Sequence, residues 1–494
     1  MTDMILKENN KWALLLSCAL FCLISCTKTT LIPDPQTELE PIPVESRFKV
    51  YTNSFKMYDM LYKTDAYTGN TFVETGRQEV ISGQKSYTGY YQCFAADGTQ
   101  KWNEWIPITK LPSEQFCNKT VFDITSEGAV IDCFNVKDLE TGAQITYIQK
   151  MIPEGEFPWG RNGKPFYTFV QDFEYDVDPC EGFVAADHYG GAWVAAGNAM
   201  DSIVVARVDK DGNIGTIIGF DSEGTLGRRT YVSHPQMMVR DNDELYLLLQ
   251  YSDMVGSLDI GYYDIVRISS QGKILSRETL MPERFFSRGI YAHICPDRRG
   301  GAYVIFKASD DFVLHLFMEH FNCFGKIDFP EIDLNPKGPA GSTLSVCAAV
   351  EPQSGKCVTV FMDDSSMRTY LYAQVVDING NLLLGEAGDP KLLFKTDDGI
   401  FLRNTSGFKL FHYQGDNRMH LYYVLEQSHR DPVLKTCTIS VDGKISDERD
   451  VVEMDTPMLS DGYEDSVDAV SGRTARFWWI STNTKNIYSF SDEL

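Results

Sequence analysis

Short runs of alternating apolar and polar residues fill most of this chain, and glycine-centred turns separate them. "VVARVDKDGNI" (204–214), "YDIVRISSQGKI" (263–274), "AQVVDINGNL" (373–382) and "KTCTISVDGKI" (435–445) share one plan. An alternating strand runs into a tight turn, and a second strand leaves it. Similar turns occur at Gly98, Gly142, Gly212, Gly272, Gly325, Gly380 and Gly443. In the last five an apolar residue follows two places later: Ile214, Ile274, Ile327, Leu382 and Ile445. Glycine supplies the positive φ of a tight hairpin, and Asp or Asn tolerates the neighbouring positions.

A second element precedes these turns: a turn followed by a nearly continuous apolar strand, the pattern of a strand buried on both faces. It is clearest in "DHYGGAWVAA" (187–196) and "DRRGGAYVIF" (297–306), with weaker copies at 241–250, 352–361 and 415–425. No long segment combines a helical period with caps. Units of about 50–60 residues, each with several strands, are the signature of propeller blades. Seven turns predict seven blades, with eight allowed. The last segment, 467–490, has blade-like strands but no glycine turn after it, so it needs an outer strand from elsewhere. The N-terminal stretch 87–105 carries a complementary surplus. The expected fold is therefore an all-β propeller over residues 47–494, its ring closed by shared N- and C-terminal strands so that no edge is left open.

The chain resembles β-propellers in general. "DGTQKW" (97–102) and "DLETGAQITY" (138–147) are loosely similar to the Asp-x-x-Thr-Gly-x-x-x-Trp repeat of quinoprotein-like propellers. Two partial copies do not imply a quinone, and no cofactor is expected.

The N-terminus is a processing segment. Lys7 and Lys11 precede the apolar run Trp12–Ser25, which is short for a membrane span. The run ends in Leu23-Ile24-Ser25-Cys26, which resembles the lipobox of Gram-negative bacterial lipoproteins. That resemblance implies a signal peptide over 1–25, cleavage before Cys26, acylation of Cys26 and an anchor in the outer membrane. Several acyl chains on one residue anchor durably, since each buried methylene adds about 0.8 kcal/mol. Residues 26–46, rich in proline, read as the lipidated cysteine and an extended tether. Thr27-Lys28-Thr29-Thr30 stands where some surface-displayed lipoproteins carry acids, which leaves the periplasmic and cell-surface faces both open.

A net charge of −24 repels phosphates, so nucleic acid is not an expected partner, and the membrane is met only through the anchor. A monomer is expected. Nine cysteines follow Cys26, most of them inside apolar strand-like runs, and none has zinc-binding spacing. Few or no disulfides are expected.

Three stretches carry candidate chemistry. Asp209, Asp211 and Asn213 alternate around Gly212, as in a calcium loop, but equivalent turns lack the acids and no bidentate carboxylate follows. The stretch is read as a hairpin turn, and no metal site is assigned. Residues 153–182 read as a long connection between blades, offering Trp159 and Arg161 to a sugar or another ligand, or anchoring the loop. The connections 224–234 and 283–293 are basic within an acidic protein, and each ends in a histidine entering an inner strand. Arg229, His234, Arg288, Tyr291 and His293 are the ligand-binding candidates there, because arginine forks suit carboxylates. Asp187 and Asp297 occupy equivalent repeat positions before Gly-Gly, which marks turn residues rather than a catalytic pair. No nucleophile elbow, HExxH motif or P-loop is present, and no catalytic residue is assigned. The expectation is a non-catalytic propeller that binds a glycan or a protein. The alternative is a carbohydrate-active enzyme, glycoside hydrolase or lyase, on the same scaffold.

Overall fold

The turns between third and fourth strands share one construction. At Gly98, Gly155, Gly212, Gly272, Gly325, Gly380 and Gly443 the glycine N–H donates to the carbonyl three residues earlier, at 2.8–3.0 Å. A second bond closes each loop one residue further on, for example Asp209 N–H to the Asn213 carbonyl. The glycines have φ between 74° and 83°, so this is a type I turn followed by a left-handed glycine, a hairpin connection that suits the strand twist. In blade 2 this turn lies at Gly155, not at Gly142 as the sequence pattern suggests. Position 142 falls outside the described residues.

The structure, a computed structural model, describes residues 48–493 apart from 52–56, 66–67, 82–83, 111–120, 138–142, 170–180, 199–201, 222–230, 256–257, 287–291, 311–312, 337–343, 367, 386–387, 397–399, 403–407, 413–417, 428–431, 454–456, 459–473 and 482–485. The described residues form strands and turns only, arranged as the eight blades of a β-propeller.

Blade 1 comprises strands Met57–Thr64, Thr71–Ile81, Gln84–Phe94 and Ile106–Pro107. Blade 2 comprises Val121–Ile124, Val130–Lys137, Gln144–Met151 and Lys164–Phe169, and blade 3 Glu181–Ala186, Ala192–Asn198, Ser202–Val208 and Ile218–Asp221. Blades 4 and 5 are Tyr231–Val239, Leu245–Val255, Leu258–Ile268, Ile274–Phe286 and Ala292–Pro296, Ala302–Asp310, Val313–Phe321, Ile327–Asp333. One pair, Phe285 with Ser309, joins these two sheets. Blade 6 is Leu344–Val350, Cys357–Ser366, Arg368–Val376 and Lys391–Lys395. In blade 7 the inner position is shared by Ile400–Leu402 and Phe408–His412, followed by Arg418–Gln427, Val433–Ser440 and Ile445–Glu453. Blade 8 is Pro457–Met458, Thr474–Ser481 and Ile487–Glu493, with Phe48–Tyr51 as its outer strand.

That last strand closes the ring. Phe48 to Tyr51 run antiparallel to Phe490 to Ile487. The donated strand is thus 48–51, and the stretch 87–105 instead supplies the third strand and outer turn of blade 1. The turn count points to seven blades because the eighth contains no such turn: its outer strand arrives from the other terminus.

Eight apolar clusters, each built from two neighbouring blades, lie around the ring. Eight blades with eight such interfaces make a closed circle, in which every second and third strand is covered on both faces. Hence Ala192–Ala196, Leu245–Leu249 and Ala302–Phe306 are fully buried without alternation.

Candidate functional site

Antiparallel strands put two kinds of connection at opposite ends of each blade. One end, the turn end, holds the turns between first and second strands and between third and fourth. The other, the joined end, is where the second-to-third hairpins and the passages to the next blade leave the strands.

At the turn end a carboxylate paired with a basic side chain repeats in four consecutive blades. In blade 3 the Asp187 carboxylate accepts from the backbone N–H of Tyr189 and Gly191, both at 2.8 Å, and so shapes the turn. Its other oxygen receives Arg207 at 2.7 and 3.0 Å. Asp297 in blade 5 repeats this with Arg299 N–H and Gly301 N–H, and its partner is His320 at 3.1 Å. Blade 4 pairs Glu244 with Arg267 at 2.8 Å, and blade 2 pairs Glu127 with Lys150 at 3.2 Å. Asp187 and Asp297 are therefore turn-shaping residues, as their sequence equivalence implies.

The most concentrated of these groups spans blades 3 and 4. Arg207 bridges Asp187 and Asp243, at 2.7 and 2.8 Å, and His188 Nδ1 lies 3.1 Å from Asp243. Both carboxylates are buried, while His188 faces solvent. The hydrogen bond to Asp243 raises the pKa of His188 above the usual histidine value. The imidazole is thus a proton holder oriented by a carboxylate. The Ser126 hydroxyl donates to the main-chain carbonyl of His188 at 2.9 Å. The group acts as a clasp between blades, not as a proton relay.

Other donors at this end cross to a neighbouring blade and meet turn carbonyls that the hairpins leave without strand partners. Lys150 reaches the Gly190 carbonyl at 2.6 Å, Trp193 the Asp243 carbonyl at 3.0 Å, and Tyr303 the Gly355 carbonyl at 2.7 Å. Arg299 reaches Gln353 at 3.1 Å, and Arg476 joins blade 8 to Gly69 and Ala96 of blade 1.

Trp159 and Arg161 belong to the same system. The stretch 153–182 is not simply a connection: it contains the outer turn of blade 2 and its outer strand Lys164–Phe169. Trp159 is buried, and its indole N–H donates to the Lys210 carbonyl of blade 3 at 3.0 Å. Arg161 donates to the Ile108 and Pro107 carbonyls of blade 1 at 3.1 and 2.5 Å, with its guanidinium over Phe157. Phe166 is buried in the core between blades 2 and 3. The oxygen-rich loop after Val208 is a hairpin turn. Asp209 Oδ1 accepts from Asp211 N–H and Asn213 N–H, and Oδ2 accepts from the Asn213 side chain. Asp377 does the same with Asn379 and Asn381.

One ionisable group sits deeper. Asp132, on the second strand of blade 2, is about 1% exposed and accepts a hydrogen bond from Tyr91 of blade 1. Its Oδ1 has no hydrogen-bond partner among the described residues. Burial raises its pKa to about 7. Below pH ~4 both folded and unfolded chains keep this proton. As the pH climbs towards 7, the unfolded chain releases it more readily, so the group lowers stability across that window and continues to do so above it. Asp132→Asn keeps an oxygen for Tyr91 and removes the charge. The variant is expected to be more stable than the parent at pH 8, by on the order of 2–4 kcal/mol, and equal to it near pH 4. Urea unfolding at both pH values checks this. A variant less stable at pH 8 would show that the ionised carboxylate is satisfied in the fold.

Of the remaining predicted site residues, two lie in inner strands. His234 lies in the inner strand of blade 4 and His293 in that of blade 5, as the sequence pattern implies. His293 is half-buried; the side chain of His234 is outside the described set. Arg229, Arg288 and Tyr291 lie outside the described residues, as does Arg228. Arg284 is not part of a connection, because the outer strand of blade 4 continues to Phe286. Among the described candidates, Trp159 and Arg161 are at the turn end, and the two histidines are in inner strands. Sequence reading missed the basic partners of these acids. A signal exists, since Lys150, Arg207, Arg267 and His320 each stand five residues before the turn glycine of their blade.

No protein-family model matches the chain, and no curated protein matches it. Solved structures do. The GH93 α-L-arabinofuranosidase of Fusarium graminearum, solved with arabinobiose, is 11% identical over 83% of this chain and 95% of its own, with a TM-score of 0.37. The endo-arabinase of Bacteroides thetaiotaomicron is 15% identical over 55% of this chain and 96% of its own, TM-score 0.29. The acylaminoacyl peptidase of Pyrococcus horikoshii is 10% identical over 82% of this chain and 52% of its own, TM-score 0.37. The β-propeller fold is read from the strand topology of the chain itself.

Proposed function

We propose that this protein is a carbohydrate-active propeller that binds an anionic glycan at the joined end of the ring. One observation carries the reading: the buried charged groups described at the turn end are engaged within the fold, among them Arg207 between Asp187 and Asp243 and Lys150 on Gly190. Recognition then falls to the joined end, towards which the segments 224–234 and 283–293 lead, carrying Arg228, Arg229 and Arg288 in a protein of charge −24. Arginine forks there suit the carboxylates of an acidic sugar, and Tyr291 offers a ring to a sugar face. The test is a glycan array probed with the full chain, followed by product analysis on every hit. Binding of uronic-acid or sialic-acid glycans is the expected result, and failure to bind any acidic glycan would overturn the reading.

Cleavage of the bound glycan, by hydrolysis or elimination, is the second reading. It is favoured by His234 and His293, which lie in the inner strands of adjacent blades next to the arginine-bearing segments, where a histidine can move a proton at neutral pH. Shortened products from a bound glycan would establish it, and an unchanged glycan would leave binding alone.

Anchoring of the protein to the outer membrane through Cys26 belongs to the same proposal. Cys26→Ser is expected to abolish incorporation of a fatty-acid probe in Gram-negative cells; label kept by the variant would remove the anchor.

A further inference from the structure

We propose that Cys295 and Cys357 are a latent disulfide pair that cross-links blades 5 and 6. Cys295 lies on the inner strand of blade 5, and Cys357 opens the second strand of blade 6. The Cys295 Sγ is 3.7 Å from the carbonyl of Ala348 on the inner strand of blade 6. Ala348 stands opposite Thr359 in that sheet, and the Cys357 Sγ is 3.8 Å from the Thr359 hydroxyl. The two sulfurs thus converge on one step of the blade 6 ladder, within one apolar cluster. Both are buried in the apolar cluster that fills this interface, with Tyr303, Val350 and Phe361 around them.

Thiols held at one step of a ladder can approach to the ~2.05 Å of an S–S bond as the two blades close. The oxidant is a small-molecule disulfide such as oxidised glutathione. One cysteine thiolate attacks it, forming a mixed disulfide and releasing one thiol. The second thiolate then displaces the other half. Two protein thiols lose two protons and two electrons, and one donor disulfide becomes two thiols. Burial in the finished fold shields both sulfurs and disfavours their thiolates, so the exchange takes place while blades 5 and 6 are closing on each other. A bond here fastens two blades that meet through the side-chain packing of this shared cluster.

The full chain, unfolded in denaturant and refolded in a glutathione redox buffer, is alkylated and mapped by mass spectrometry without reduction. The expected product is a peptide pair joined through Cys295 and Cys357 as the principal intramolecular disulfide. Its unfolding midpoint should exceed that of the dithiothreitol-treated protein, and Cys357→Ala should remove the difference. Recovery of both residues as alkylated thiols, or their pairing with other cysteines, would overturn the proposal. Because the reduced protein and Cys357→Ala are refolded alongside, a failure of folding is distinguished from a failure to cross-link.

Discussion

Trp478→Ala is expected to weaken the protein by about 3–5 kcal/mol, the range for removing a buried aromatic ring. Trp478 sits in blade 8 at the closure of the ring, about 3% exposed. Its ring centroid is 4.5 Å from that of Phe94 in blade 1 and 5.6 Å from that of Tyr51 on the donated strand. Tyr51 in turn donates to the Gly98 carbonyl at 2.6 Å. One side chain therefore joins the first blade, the last blade and the strand that completes it. Its indole N–H has no hydrogen-bond partner among the described residues, so truncation removes packing without stranding an acceptor. Urea unfolding at constant slope reads the effect. A loss below about 1 kcal/mol would mean that the closure tolerates a cavity there, contrary to the close-packed interior expected of it.

Arg207→Ala is the other large effect. The substitution leaves Asp187 and Asp243, both 3% exposed or less, without the guanidinium that bridges them. Removing one partner of a buried ionic group typically costs about 3–5 kcal/mol, because the remaining charges stay desolvated. Arg207→Lys should recover only part of that loss, since a single ammonium cannot reproduce the planar fork that meets both acids. Thermal and urea unfolding of the two variants check the order. A stability unchanged by Arg207→Ala would show that water reaches both carboxylates.

The fold was largely legible because its hairpins use a backbone conformation that favours glycine, and its inner strands are buried on both faces. The turns at Gly212, Gly272, Gly325, Gly380 and Gly443 mark true outer turns for that reason. Gly142 misled because "TGAQITY" has the same composition as an outer turn, whereas Gly155 is followed by a longer approach to its strand. The donated strand 48–51 was hidden because four residues pairing across more than four hundred leave no local pattern. The candidate site was less legible. Trp159 and Arg161 look like ligand-facing residues in sequence, yet their partners are carbonyls of Lys210, Ile108 and Pro107, which no side-chain pattern records. The acids and their partners lie about twenty residues apart in sequence and meet when the blade's strands pair, while Asp243 joins Arg207 only when blades 3 and 4 stack.

The most direct measurement of the proposed role is the affinity of Arg229→Ala/Arg288→Ala for an acidic glycan identified on the array, taken together with its melting temperature. Surface replacements usually shift stability by less than about 0.5 kcal/mol, so the melting temperature should hardly move. Each lost charged hydrogen bond is worth about 1.5–3 kcal/mol, so affinity should fall by roughly a hundredfold or more. Undiminished affinity in the double variant, or a fall in affinity that merely follows a fall in melting temperature, would contradict recognition at the joined end.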